Sequence, residues 1–167
     1  MAIRNIVKEG DPVLQKKCRP VEKFDEKLWQ NLDDMADTLR DSGGVGLAAP
    51  QVGILRRYFI MILEEDGEVI EAINPEIVKT SGKVREVEGC LSVPNRWGYV
   101  TRPKAVVLRA YNRRGEQYEL KLKDLGARCA WKGCPLFLFF PVKVPLPPYC
   151  FFTPISPLPG GMLCLAR

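Results

Sequence analysis

Gly44-Val45-Gly46-Leu47-Ala48-Ala49-Pro50-Gln51 stands where the chain changes character. Its paired glycines permit backbone shapes with φ > 0 and a close approach by another segment. It is not a phosphate loop, because no Gly-Lys-Ser/Thr follows. Upstream, Leu28, Leu32, Met35 and Leu39 repeat at helical spacing, so residues Asp25 to Asp41 read as one amphipathic helix packed on a core. Asp25 or a neighbour caps its start, and Gly43-Gly44 ends it. A shorter helical turn is expected after Pro12, since proline suits a first helical position. Downstream the pattern becomes that of strands. Arg57 to Leu63 is a short apolar run, Glu65-Asp66-Gly67 reads as a turn, and Glu68 to Ile73 reads as a second strand. Lys104 to Tyr111 and Gln117 to Leu122 flank Asn112-Arg113-Arg114-Gly115. Val106, Leu108 and Ala110 alternate on one side, and Tyr118, Leu120 and Leu122 on the other, which predicts a hairpin. The class is α+β, with strands prevailing after residue 55.

A second stretch, Glu88-Gly89-Cys90-Leu91-Ser92-Val93-Pro94, carries chemistry. The glycine leaves room around the thiol, and a thiolate is a good ligand for zinc or iron. A lone cysteine is otherwise a small buried hydrophobe. Six cysteines stand at 18, 90, 129, 134, 150 and 164 without a disulfide-framework spacing. The stretch Met1 to Lys8 is too short in apolar residues for a secretory signal, so a reducing compartment and free thiols are expected. Cys129-x4-Cys134 has the look of half a zinc site, with no second close pair to complete it.

The chain has 167 residues, the length of one domain, and no histidine at all. That zero excludes Ser-His-Asp and Cys-His catalysis and any imidazole-based metal site built from this chain alone. Its net charge of +5 is modest and unevenly placed. Residues 1–129 hold all 20 acidic groups and 22 basic ones, whereas 130–167 carry only Lys132, Lys143 and Arg167. Eight of the 14 prolines and five of the seven phenylalanines also fall in those last 38 residues. The longest apolar run there, Pro135 to Val142, is well short of the ~20 residues a membrane span needs. No transmembrane segment and no specific nucleic-acid partner are expected. The division is therefore 1–129, a patterned domain, and 130–167, an aberrant Pro/Phe-rich tail expected to be poorly ordered.

Gly-x-Gly-Leu-Ala-Ala-Pro-Gln, followed about 40 residues later by Glu-Gly-Cys-Leu-Ser, resembles the peptide deformylases. The opening Gly10-Asp11-Pro12-Val13-Leu14 and the segment Asn95 to Pro103 are similar to that family too, so the resemblance covers residues 1–129. It implies mixed sheets with an N-terminal helix, and removal of the formyl group from the N-terminal formyl-methionine of new proteins. It also implies Fe²⁺, or a substituted divalent metal, held by one cysteine and two histidines. By that resemblance Cys90 is the thiolate ligand. The metal lowers the pKa of its water to roughly 7, and the hydroxide attacks the formyl carbon. The Gln51 side-chain amide and the Leu91 backbone N–H face the developing oxyanion. Gly46 meets the substrate backbone, Val45 lies beside the methionine pocket, and Glu88 and Gly89 belong to the same substrate wall. The implied partners are nascent N-formyl-Met chains near the ribosome, in a bacterial or organellar cytoplasm.

The family's third motif, a His-Glu-x-x-His helix soon after the hairpin, is missing. Where it should begin, near Gly126-Ala127-Arg128-Cys129, the chain continues Ala130-Trp131-Lys132-Gly133-Cys134-Pro135. Two metal ligands and the glutamate that serves as general base and acid are gone, and acid–base catalysis of that kind contributes about 10²–10⁴-fold. The central metal-site helix is expected to be absent or replaced, leaving apolar sheet faces uncovered, and the chain as written is expected to be inactive. The abrupt change near Cys129 points to a frame shift, a misplaced exon boundary or a sequencing error. Two alternatives stand beside it. One is a pseudoenzyme that binds formyl-peptides without turnover. The other is an enzyme with Cys90 as nucleophile, which would lack a histidine to activate the thiol.

Overall fold

A computed structural model describes residues 2–65 and 67–134. Two helices, α1 (Glu26–Ser42) and α2 (Asp124–Gly133), pack with seven strands. These are β1 (Gly46–Ala48), β2 (Tyr58–Met61), β3 (Ile70–Ser81), β4 (Val84–Cys90), β5 (Val93–Arg102), β6 (Ala105–Tyr111) and β7 (Gln117–Lys123). The class is α+β, as the sequence predicts. Asp66 of the expected turn lies outside the described residues, and so does the tail from 135 to 167, with the expectation about its order.

Helix α1 forms as its sequence requires. The Asp25 carboxylate accepts the Leu28 N–H at 3.1 Å, and Gly43 ends the helix with φ 62°. Its stripe Leu28, Leu32, Met35 and Leu39 is buried. Each such side chain stabilises the fold by roughly 1.5–3 kcal/mol through burial. The turn after Pro12 is a short 3-10 segment, Pro12–Gln15, in which the Asp11 carboxylate accepts the Val13 N–H at 2.8 Å.

The main sheet is antiparallel, in the order β1-β2-β3-β6-β7. Strand β2 is buried on both faces, which is why its sequence is a continuous apolar run rather than an alternation. Tyr58 and Ile60 join the core beneath α1 with Leu47 and Ile73. Phe59 and Met61 join the opposite core with Leu108, Ala110 and, from α2, Ala127, Cys129 and Ala130. The predicted hairpin is β6–β7, in register from Ala105↔Lys123 to Tyr111↔Gln117.

Four elements depart from the sequence reading. Strand β3 runs to Ser81, well past Ile73, because Asn74 takes φ 49° and Pro75 is accommodated at a register shift. The Asn74 side chain also clamps Val21, accepting its N–H and donating to its C=O, both at 2.8 Å. Strands β4 and β5, which the sequence reading did not mark, form a separate two-stranded ribbon from Val84↔Arg102 to Cys90↔Val93. Finally, a replaced helix is what the chain has: α2 runs unbroken through Cys129 and Ala130 and covers the sheet face that was expected to lie bare.

Candidate functional site

Gln51 sits in a 3-10 turn, Ala49–Val52, directly after β1. It is buried, and both ends of its amide are committed: Oε1 accepts the Ala48 N–H at 2.9 Å, and Nε2 donates to Ser92 Oγ at 3.1 Å. The same Nε2 lies 3.9 Å from Cys90 Sγ. Cys90 ends β4 and Ser92 precedes β5, so the carboxamide ties the glycine-rich segment to the ribbon. Around this junction is a recess of about 30 Å³, lined among others by Gly46, Gln51, Cys90, Leu91, Cys129 and Lys132.

Four of the seven residues singled out by sequence therefore meet here: Gly46, Gln51, Cys90 and Leu91. The other three serve the walls in different ways. Val45 is in the core beneath α2, and its carbonyl accepts the Ile62 N–H at 2.9 Å. Glu88 is buried on β4 and paired with Arg102, Nη2 to Oε2 at 3.2 Å. The Gly89 carbonyl accepts a hydrogen bond from Lys132 Nζ.

Lys132, Cys129, Ser92 and Arg102 were not anticipated as neighbours of this site. Ser92 and Arg102 lie within stretches the sequence reading quoted, Cys129 stood out only as half of a Cys-x4-Cys pair, and Lys132 as one of the few charges in its segment; none was assigned to this site. Cys129 is fully buried, and its thiol lies 3.9 Å from the Val45 carbonyl. Burial pushes that thiol up to about 12; Lys132 opposes the shift and Glu88 adds to it. Burial thus favours the neutral form of the Cys129 thiol in the metal-free protein.

The donor set does not fit a divalent metal. Such a metal needs at least three protein donors, deprotonated where they are thiols. Among the described residues no group of three His, Cys, Asp or Glu side chains gathers to hold one. The sequence supplies no histidine anywhere. The ammonium group of Lys132 occupies the same wall.

Comparison with known proteins places this arrangement. The family model for polypeptide deformylase matches residues 3–133. A peptide deformylase of Clostridium botulinum is 53% identical over 128 residues, covering 77% of this chain and 86% of the relative. Peptide deformylase 1 of Bacillus subtilis is 44% identical over 128 residues, covering 77% and 80%. Among solved structures, a Legionella pneumophila peptide deformylase superposes with a TM-score of 0.80 at 40% identity, covering 81% of both chains. A Thermotoga maritima peptide deformylase gives 0.77 at 37% identity, covering 82% of this chain and 92% of that one. The chain belongs to the polypeptide deformylase family, whose members use a metal ion.

Proposed function

We propose that this chain carries the deformylase scaffold without deformylase turnover. The reaction concerned is hydrolysis of the formyl group from the N-terminal formyl-methionine of nascent proteins, near the ribosome in a bacterial or organellar cytoplasm, with Fe²⁺ or a substituted divalent metal. One observation carries the reading: among the described residues, no group of three His, Cys, Asp or Glu side chains gathers with Cys90 at the recess. The oxyanion wall is retained, with Gln51 Nε2 directed at the Cys90–Ser92 corner and Leu91 beside it. Gly46, Val45, Glu88 and Gly89 keep the substrate wall's sequence. No residue from 130 to 134 offers the general base.

The alternative reading, a protein that binds formyl-peptides without turnover, uses the same wall residues and is told apart by peptide binding in the absence of metal. We also read residues 130–167 as the product of a shifted reading frame. The support is their composition, which loses every acidic group while prolines and phenylalanines crowd in.

The test is direct. The purified full chain, supplied anaerobically with Fe²⁺, Ni²⁺ or Co²⁺, is expected to release formate from a formyl-Met tripeptide only at the background rate. Elemental analysis is expected to find far less than one metal per chain. Metal-dependent turnover would overturn the proposal. For the reading frame, the coding DNA from codon 120 past codon 167 is expected to spell His-Glu-x-x-His in another frame soon after codon 129. If no frame does, the frame-shift reading fails.

A further inference from the structure

The recess at Cys90 lies between two strand edges that belong to different sheets. Strand β1 ends the main sheet, and β4 pairs with β5 in the separate ribbon. Gly46, Leu47 and Ala48 of β1 line the recess from one side, and Cys90 and Leu91 at the end of β4 line it from the other. Among the described residues no strand pairing joins β1 to β4. A free strand edge is a row of backbone donors and acceptors that an extended peptide satisfies by adding as a further strand. Two such edges across one recess make a place for one length of extended backbone.

A side chain of the protein itself stands in that place. Lys132, near the end of α2, also lines the recess, and its Nζ donates to the Gly89 carbonyl of β4, 43 positions away in the chain. The ribbon does not need this contact for its register, because Gly89 is already paired opposite Trp97 of β5. The contact is also exchangeable. A lysine side chain gives up much rotamer freedom when it is fixed, and its ammonium is strongly hydrated. Lys132 is half-buried, so the ammonium has solvent to return to. A peptide N–H is a ready replacement donor for the same carbonyl.

We propose that Lys132 is a built-in stopper of this groove: its contact with Gly89 is autoinhibitory, and an extended formyl-peptide pairs with the β4 edge only after Lys132 swings out. The inference rests on the reading that the chain keeps the deformylase substrate walls. It adds that a residue of α2 holds those walls shut.

Fluorescence anisotropy of a fluorescein-labelled formyl-Met tripeptide, titrated with the full chain in the presence of EDTA, tests this. Turnover does not enter the measurement, so it is independent of whether a metal-loaded chain hydrolyses the peptide. The parent is expected to bind weakly. Lys132→Ala is expected to bind about tenfold tighter, which corresponds to about 1.4 kcal/mol. Lys132→Met keeps the apolar stem and drops the ammonium, and it too is expected to bind tighter than the parent. Melting curves check that both variants are folded. Damage to the fold lowers affinity, so a gain is not the mark of a merely structural role. Equal, measurable affinities for the parent and both variants would overturn the stopper and leave the walls standing. No binding by any of the three at millimolar concentration would overturn walls and stopper together.

Discussion

At residue 46 the absence of a side chain decides whether α2 can sit where it does. A Cβ built there would lie 2.4 Å from Cys129 Sγ, far inside contact distance. The glycine thus lets β1 and α2 close over the recess that holds Gln51 and Cys90. Gly46→Ala is expected to destabilise the protein by about 1–3 kcal/mol through overpacking. Adding Cys129→Ala removes the opposing sulfur and should return part of that loss, read as the urea midpoint of the double variant against the single one. A Gly46→Ala protein as stable as its parent would mean that the close approach is unimportant. The glycine pair was visible in the sequence, but its opposing atom was not, because 83 positions separate the two residues.

Helices α1 and α2 show how differently an element can be written into a chain. Helix α1 has a stripe of large apolar residues, an acidic cap and a glycine stop, all within a few positions of one another. Asp25→Ala should cost about 1 kcal/mol of stability, and Asp25→Ser should recover most of it, by thermal or urea denaturation. Equal midpoints for all three proteins would remove the cap from the account. Helix α2 has no side-chain cap, starts at Asp124 with φ 47°, and contains two glycines. Its buried face is Gly126, Ala127, Cys129, Ala130 and Gly133, small residues that give no strong periodic signal. Those small residues are what let it lie close on the sheet. A Cβ at Gly133 would stand 2.9 Å from the Phe59 ring, and one at Gly126 would stand 3.1 Å from Leu122 and Leu63. Ribbon β4–β5 was hidden for the opposite reason. Its strands mix exposed, half-buried and buried residues irregularly, so they show no apolar alternation, and the ribbon is recognised only from its pairing.

Across the whole molecule, two thiols and a phenol tie stability to alkaline pH. Burial pushes Cys129 and Cys134 each up to about 12, and Tyr118 up to about 12 with help from Glu71. In the unfolded chain the thiols ionise near 9 and the phenol near 10. The folded state holds these protons more tightly, so this stability is intact below pH 9 and is lost as pH rises from 9 toward 12. Each thiol is expected to lower unfolding free energy by roughly 1.4 kcal/mol per pH unit inside that window. Urea midpoints at pH 8, 9 and 10 should be level at first and then fall. Cys134→Ala should make the fall shallower, and an unchanged slope would show that the thiol titrates in the folded protein as it does in the unfolded chain.

Short-range chemistry was legible from residue order alone. Caps, helical spacing, the hairpin's alternation and the two motifs each depend on neighbours a few positions apart. The count of histidines depends on no structure at all, and the expectation of an incomplete metal site rested on it alone. Long-range contacts were not legible. The clamp of Asn74 on Val21 and the reach of Lys132 to Gly89 join residues that are distant in the chain. Such contacts exist only once the sheet's register and the helix positions are set. Many segments compete for each partner, and which one wins is decided by packing of the complete fold rather than by local propensity.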